Sequence, residues 1–271
     1  MGSCESVFKI LIPLLLFLFI SPSHVTGSFA NIDGIKVSLS ANPANVNLSV
    51  YYETLSPNCS DFFVKNLESV FNNDLISIIN LRLVPWGNAY FNKSNNAIVC
   101  KHGPDECLLN EIEACAINVL NNVNKYYGFI YCIEFLVIEG RHKDWKTCFD
   151  TLGLPQKPVL NCYNSGNGTK LAQQYRTETA HLVPPHTFLP WVVVDNQPTR
   201  NDYENFTAYV CKAYKGNAVP NACKSPSPGI NSVQKTNLIN PANHVSDAKK
   251  WTSSTPAKRI SRFKIPPVRS L

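Results

Sequence analysis

Residues 46–63 read Val-Asn-Leu-Ser-Val-Tyr-Tyr-Glu-Thr-Leu-Ser-Pro-Asn-Cys-Ser-Asp-Phe-Phe, and the architecture can be built outward from them. The alternation over residues 46–52 predicts a strand with one buried face. Leu55 to Cys59 interrupts it, and apolar residues at helical spacing then predict a helix that reaches Phe71. Leu81 to Val84 reads as a second strand. Strand, helix and strand make a βαβ unit, so we expect the two strands to be parallel.

The rest of the globular region is predicted to be largely helical. Residues 105–180 carry a helical stripe that includes Ile112 and Cys115, followed by a loop over residues 164–168 and a polar helix near residues 170–180. Residues 191–194, introduced by Pro190, read as a short buried strand. Residues 203–214 fit a final helix. We expect the aromatic residues of the βαβ unit to be core: Tyr51, Tyr52, Phe62 and Phe63.

The N-terminus is typical of a secretory signal. Lys9 precedes an eleven-residue apolar run, Ile10 to Ile20, and small residues near Gly27 offer a cleavage site. A bilayer span needs about 20 apolar residues, so residues 1–27 are predicted to be a cleaved signal peptide. Five Asn-x-Ser/Thr sequons favour a glycoprotein, and the Asn58 sequon is the least favourable because it contains a cysteine and lies at a helix start. The sequon asparagines are Asn47, Asn58, Asn92, Asn167 and Asn205.

Composition separates a globular part from a basic tail. Hydrophobic residues make up 44% of the 271-residue chain and charged residues 16%, which favours a folded core. Residues 224–271 hold nine of the 25 basic residues and one of the 19 acidic ones, so the rest of the chain is slightly acidic. A nucleic-acid partner for the core is therefore excluded. Residues 225–271 are predicted to be a disordered basic tail that touches anionic surfaces or has no function.

Loss of Cys4 with the signal leaves nine cysteines, an odd number. An oxidising compartment then predicts four disulfides and one thiol, or an intermolecular bond, and many pairings are open. Cys100, His102, Cys107 and Cys115 are also zinc-ligand types, but they lack the short Cys-x2–4-Cys spacing of structural zinc sites. We expect disulfides, no metal and no cofactor, with His102 a hydrogen-bonded loop residue.

Residues 100–115, Cys-Lys-His-Gly-Pro-Asp-Glu-Cys-Leu-Leu-Asn-Glu-Ile-Glu-Ala-Cys, resemble the signature C-Q-H-G-x2-E-C-x2-N-x4-C of the gamma-interferon-inducible lysosomal thiol reductase (GILT) family, with Lys101 in place of Gln. Residues 50–55, 83–89, 183–194 and 210–214 are similar to plant members. The resemblance covers about residues 36–224. The matching signature residues are Cys100, His102, Gly103, Glu106, Cys107, Asn110 and Cys115.

The resemblance implies an α/β, thioredoxin-like fold with a disulfide-rich helical insertion, over residues 28–224. It also implies reduction of protein disulfides in an acidic compartment by a C-x-x-C pair at residues 56–59, faced by Pro190 as a cis-proline. Cysteines outside that pair are disulfide candidates: Cys100, Cys107, Cys115, Cys132, Cys148, Cys162, Cys211 and Cys223.

The expected redox pair is incomplete, because residues 56–59 read Ser-Pro-Asn-Cys. Thiol–disulfide exchange needs an attacking thiolate and a second thiol that resolves the mixed disulfide. Ser56 forms no disulfide, although it can cap the helix. Cys59 occupies the resolving position, which is normally buried and a poor nucleophile. The odd cysteine count fits eight structural cysteines and a stranded Cys59.

Three functions remain open from the sequence. The first is a weakened or monothiol oxidoreductase that acts on disulfide-containing proteins or peptides with a small thiol reductant. The second is an inactive glycoprotein that binds extended polypeptides through the thioredoxin-like groove near Pro190. In the third, the basic tail docks on an anionic surface. In all three, the protein enters the secretory pathway. Its final location is either outside the cell or in a lysosome or vacuole.

Overall fold

The structure is a computed structural model that describes residues 45–224. The predicted signal peptide and the basic tail lie outside the described residues. The strands are β1 (Val46–Tyr52), β2 (Ile79–Pro85), β3 (Tyr90–Phe91), β4 (Ile98–Val99), β5 (Trp191–Val194) and β6 (Gln197–Pro198). The α-helices are α1 (Pro57–Asp61), α2 (Ser69–Asn72), α3 (Pro104–Leu120), α4 (Val123–Ile138), α5 (Thr147–Leu152), α6 (Gln156–Asn164), α7 (Asn167–Ala180), α8 (Phe206–Ala213) and α9 (Asn221–Lys224).

A four-stranded sheet in the order β2-β1-β5-β6 forms the centre of the fold. β1 pairs in parallel with β2 along its whole length, as the βαβ pattern predicts. β5 pairs antiparallel with the other side of β1, with Tyr51 opposite Trp191. A central β1 flanked by one parallel and one antiparallel strand, with helices α3–α7 inserted before β5, is the thioredoxin-like fold. The predicted fold class is therefore confirmed.

The core lies on the face of the sheet that the even-numbered residues of β1 present. Leu48, Val50 and Tyr52 are completely buried there, and the Tyr52 ring packs against Phe63 with centroids 4.5 Å apart. Phe62 contacts Phe206 of α8 with ring centroids 5.5 Å apart. The four aromatic residues predicted to be core are all buried, and each such side chain removes about 150–250 Å² from water.

The helix after the β1 turn is less regular than its sequence pattern predicts. A π-helical segment, Phe62–Leu67, separates α1 from α2. Phe62 and Phe63 are adjacent and both buried, with Phe62 against α8 and Phe63 against Tyr52. The π-helical turn thus occurs where two adjacent aromatic side chains are buried in different directions. The polar helix predicted near residue 170 is also longer, since α7 begins at Asn167.

Eight cysteines form the disulfides, and three of the four bonds lie in the helical insertion or at its entrance. Cys115–Cys162 joins α3 to α6, and Cys132–Cys148 joins α4 to α5. The other two bonds are Cys100–Cys107 and Cys211–Cys223. The predicted disulfides are confirmed. Because Cys100, Cys107 and Cys115 are bonded, the alternative of a zinc site built on those cysteines is wrong. Between residues 45 and 224, no helix has the length and apolar character needed to cross a membrane.

Candidate active site

The turn from β1 into α1 places Ser56 and Cys59 at the start of a helix. Ser56 occupies the N-cap position with extended backbone angles, and Pro57 is the first helical residue. Proline suits this position because its missing N–H would have no partner there. The sequence suggested that the Ser56 hydroxyl caps the helix, but it makes no capping hydrogen bond. It is instead hydrogen-bonded to the Cys59 thiol one turn along the helix.

Cys59 is the free cysteine among the described residues, and no part of it is exposed to solvent. Burial raises its pKa far above the usual value for a thiol, and the carboxyl groups of Glu134 and Glu53 act in the same direction. Hydrogen bonds to the Glu53 backbone and to Ser56 oppose this effect. Cys59 is therefore a protonated thiol at acidic and neutral pH, so only a minute fraction of it is nucleophilic.

The Leu189–Pro190 peptide bond is cis, and Pro190 is buried. Tyr51 pairs with Trp191, and Pro190 directly precedes Trp191. Pro190 therefore lies at the end of the sheet where β1 ends and the Ser56 turn begins. Gly87 joins the two segments. With φ of +57°, it approaches so closely that a Cβ there would lie 2.6 Å from Glu53 Cγ and 2.8 Å from Leu189 Cδ1. The side chains of Glu53 and Leu189 thus pack against the same glycine.

The signature loop and α3 hold the turn that carries Ser56. Asn110 Oδ1 accepts hydrogen bonds from the Thr54 backbone N–H at 3.0 Å and from the Thr54 hydroxyl at 2.6 Å. His102 Nδ1 lies 2.5 Å from Glu106 Oε2, so the predicted loop histidine is hydrogen-bonded to another signature residue. Gly103 has φ of +93° and precedes α3. The signature residues therefore support the candidate site from the side of α3.

Two buried carboxyl groups lie beneath the turn, and the sequence analysis missed them. Glu113 Oε2 accepts a hydrogen bond from the Tyr52 hydroxyl at 2.7 Å, and Glu134 Oε2 accepts one from the Ser60 hydroxyl at 2.5 Å. Both side chains are completely buried. Burial raises the pKa of Glu113 to about 8, and burial together with the neighbouring Glu113 raises the pKa of Glu134. The spacing of Glu106, Asn110 and Glu113 on one face of α3 was the available signal.

A third group of polar side chains has the composition of a metal site. Glu53, His102 and Glu106 each place a ligand atom within 4.8 Å of the others. Glu53 and Glu106 are buried, while His102 is partly open to solvent. Desolvation raises the pKa of Glu106, and the hydrogen bond from His102 lowers it. Glu53 connects this group to the Ser56 turn, because the Ser56 N–H donates to the Glu53 carbonyl at 3.2 Å.

Comparison with known proteins identifies the family. The model of the family described as "Gamma interferon inducible lysosomal thiol reductase (GILT)" matches residues 47–152. The chain is 37% identical to the Arabidopsis thaliana "Gamma-interferon-responsive lysosomal thiol protein", over 66% of this chain and 76% of the relative. It is 30% identical to the Mus musculus "Gamma-interferon-inducible lysosomal thiol reductase", over 66% and 72% of the two chains.

A solved thiol-disulfide oxidoreductase, MdbA from Corynebacterium diphtheriae, superimposes with a TM-score of 0.44 at 15% identity, over 65% of this chain and 86% of MdbA. The family assignment rests instead on the curated relatives, of which this chain covers 76% and 72%. The chain belongs to the gamma-interferon-inducible lysosomal thiol reductase family.

Proposed function

We propose that this protein is a thiol–disulfide oxidoreductase that reduces disulfide-containing proteins or peptides, with turnover weakened by Ser56. The observation that carries the proposal is the position of Cys59. It is a free thiol in the first turns of α1, at the sheet edge that also holds cis-Pro190. Family membership supports thiol chemistry at this place. The eight other cysteines among the described residues are disulfide-bonded.

A single-thiol cycle accounts for the chemistry with the residues present. The Cys59 thiolate attacks one sulfur of a substrate disulfide, forms a mixed disulfide and releases the other sulfur as a thiolate, which takes up a proton. A small thiol then attacks the substrate sulfur of the mixed disulfide, which releases Cys59 and leaves a disulfide between the small thiol and the substrate. A second molecule of the small thiol attacks the small-thiol sulfur of that bond, which frees the substrate thiol and forms the disulfide of the small thiol. Two small thiols are oxidised to one disulfide for each substrate disulfide that is reduced.

The weak step is the first attack. Cys59 is buried, and its pKa is raised by that burial, so the thiolate is scarce. A cysteine at position 56 would instead lie at the helix N-terminus, where free N–H groups and the helix dipole favour a thiolate. Ser56 is 8% exposed, so a side chain at this position is closer to solvent than that of Cys59, which is 0% exposed.

The complete burial of Cys59 also favours a second candidate function, polypeptide binding without turnover. A substrate disulfide cannot contact a sulfur that has no exposed surface unless the turn moves. Main-chain groups at the edge near Pro190 would still pair with an extended peptide. In this reading the protein holds a polypeptide and leaves its disulfides unchanged.

We propose that the protein works in an acidic compartment of the secretory pathway, such as a lysosome or vacuole. The alternative location is outside the cell. The buried Glu113 and Glu134 support an acidic environment, because they stay uncharged there. The names of the relatives also refer to the lysosome. For glycosylation, four sequon asparagines are exposed and Asn92 is half-buried; the exposed ones are Asn47, Asn58, Asn167 and Asn205.

The decisive experiment measures reduction of a denatured, disulfide-bonded protein at about pH 5 with a small thiol as reductant. The natural chain is compared with Ser56→Cys and Cys59→Ala. We expect Ser56→Cys to be faster by a factor on the order of ten or more, since each unit of pKa changes the thiolate fraction about tenfold. Ser77→Cys, at an exposed serine outside the site, controls for an added thiol.

The outcomes separate the two functions. Slow turnover by the natural chain that disappears in Cys59→Ala supports the oxidoreductase. Turnover by Ser56→Cys alone makes polypeptide binding the leading function. Measurable turnover that is equal in the natural chain and in Cys59→Ala contradicts the thiol mechanism.

A further inference from the structure

Glu53, His102 and Glu106 come from three different segments and converge beside the Ser56 turn. Glu53 follows β1, His102 lies in the signature loop and Glu106 is in the first turn of α3. Their ligand atoms all lie within 4.8 Å of one another. Glu53 is 2% exposed and Glu106 0% exposed, whereas the His102 side chain is 30% exposed. The two carboxyl groups are therefore buried, and the imidazole lies between them and the solvent.

The charge of this group is unbalanced. Within residues 45–224, the ion-pair partner of Glu106 is His102, and no lysine or arginine is ion-paired with Glu53 or Glu106. Two carboxyl groups and one imidazole hold at most one positive charge among them. Buried carboxylates are normally neutralised by a cation, by protonation or by a metal ion.

We propose that Glu53, His102 and Glu106 bind one divalent transition-metal ion, zinc being the best match. Carboxylate oxygen and imidazole nitrogen are zinc ligands, and three protein ligands with one open position is a common zinc arrangement. Ligand atoms around tetrahedral zinc are about 3.3 Å apart, given bonds of about 2.0–2.1 Å. His102 Nδ1 lies 2.5 Å from Glu106 Oε2, and no ligand atom of the three lies more than 4.8 Å from another, so side-chain shifts of about 1 Å reach that geometry.

The surroundings hold the carboxylates in place. Asn88 Nδ2 donates to Glu53 Oε1 at 2.9 Å, and the His102 backbone N–H donates to Glu106 Oε1 at 3.3 Å. His186 Nε2 lies 3.3 Å from Asn88 Oδ1 and so fixes the amide in turn. Glu53 Oε2 accepts a longer hydrogen bond from the Asn88 backbone N–H at 3.4 Å, and Glu106 Oε2 faces His102 Nδ1. A metal ion would therefore take the place of the His102–Glu106 hydrogen bond, while the outer partners keep the carboxylates oriented.

The metal site is independent of the disulfides and of the proposed reductase function. Cys100 and Cys107 flank His102 and Glu106 but are bonded to each other, so neither is a ligand. Cys59 is also not needed, because the three ligands are oxygen and nitrogen donors. A negative result here would leave the thiol chemistry untouched, and inactivity of Cys59 would leave the metal site untouched.

The test is a zinc titration of the full mature chain with its disulfides intact, measured by isothermal titration calorimetry at pH 7. The chain is first treated with a chelator, which is removed before the titration. All measurements are repeated in a Cys59→Ala background to remove thiol ligation. We expect one zinc ion per chain, with binding weakened at least tenfold in His102→Ala and in Glu106→Gln. Glu106→Gln keeps the size and hydrogen bonding of the side chain, so it separates loss of the ligand from loss of the fold.

The matched control is His142→Ala. His142 also pairs with a carboxylate, with Nε2 3.1 Å from Asp105 Oδ2, but it is not one of the three proposed ligands. This variant should bind zinc as the natural chain does. Absence of zinc binding by the natural chain overturns the proposal, and so does equal binding by the natural chain, His102→Ala and Glu106→Gln. The pair His102–Glu106 would then be an ordinary hydrogen-bonded contact on the first turn of α3.

Discussion

The two buried carboxyl groups beneath the active-site turn predict that the protein loses stability as the pH rises from acidic to neutral. Glu113 and Glu134 are completely buried and held by hydroxyl groups of Tyr52 and Ser60. Burial raises the pKa of Glu113 to about 8 and also raises that of Glu134. An unfolded glutamate titrates near its ordinary value of about 4.3.

The sign follows from where protons are bound. Below about pH 4.5 both folded and unfolded chains keep these groups protonated, so the stabilisation is fully present. Between about pH 4.5 and 8 the unfolded chain releases the protons and the folded chain retains that of Glu113, so the unfolding free energy falls. Glu106, whose pKa is also raised by burial, acts in the same direction. His186, whose pKa is lowered by burial, acts weakly in the opposite direction.

The size of the effect can be worked from Glu113. From pH 5 to pH 7 the unfolded group is largely deprotonated while the folded group keeps most of its proton, a difference of nearly one proton that amounts to about 2–3 kcal/mol. For a domain of about 180 residues, 1 kcal/mol corresponds to roughly 2–4 °C, so Tm should fall by about 5–10 °C. Glu134 adds to this fall, but the two groups are coupled and their contributions do not simply sum.

The assay is urea and thermal denaturation at pH 5 and pH 7, at one ionic strength and with the disulfides intact. Glu134→Gln, which is neutral at both pH values and still accepts from Ser60, should lose roughly half of the pH dependence. Glu204→Gln removes an exposed carboxylate and should keep all of it. Equal or greater stability of the natural chain at pH 7, or an unchanged pH dependence in Glu134→Gln, would refute the reasoning.

Two further predictions follow, one for the hydrogen bonds that hold the Thr54–Ser56 turn and one for the basic tail. Asn110→Ala removes the acceptor of both Thr54 hydrogen bonds and should lower the free energy of unfolding by about 2–4 kcal/mol, as measured by urea denaturation. A loss below about 1 kcal/mol would contradict a structural role for this contact. The chain without residues 225–271 should bind anionic phosphatidylserine vesicles less tightly than the full chain at low salt, and equal binding would remove the predicted role of the basic tail.

The main elements of the fold could be predicted because each leaves a local pattern. The alternation in β1, the helical spacing after Cys59 and the Pro-bounded apolar run of β5 need no knowledge of distant neighbours. The π-helical segment at Phe62–Leu67 could not be predicted, because it depends on where α8 and Tyr52 lie in space. The disulfide pairing was undetermined for the same reason, since cysteine spacing does not fix which residues meet.

The candidate site was predictable where it follows a known signature and not where it depends on packing. Ser56, Cys59 and Pro190 could be located by resemblance, and the structure places them at one edge of the sheet. Glu113 and Glu134 look like ordinary polar residues of long helices. Their burial depends on the hydroxyl groups of Tyr52 and Ser60, which belong to segments about 60 and 74 residues away. Sequence periodicity contains no information about such partners.

The site retains the framework that thiol chemistry would use, although one sulfur is missing. The cis-proline, the Asn110–Thr54 contacts and the helix start at Pro57 all remain. None of these features uses a thiol at position 56, where the Ser56 hydroxyl is hydrogen-bonded to Cys59. We therefore expect Ser56→Cys to change the unfolding free energy little while it supplies a thiol at the helix N-terminus. For this reason stability measurements cannot distinguish an oxidoreductase from a binding protein, and the comparison of Ser56→Cys with the natural chain can.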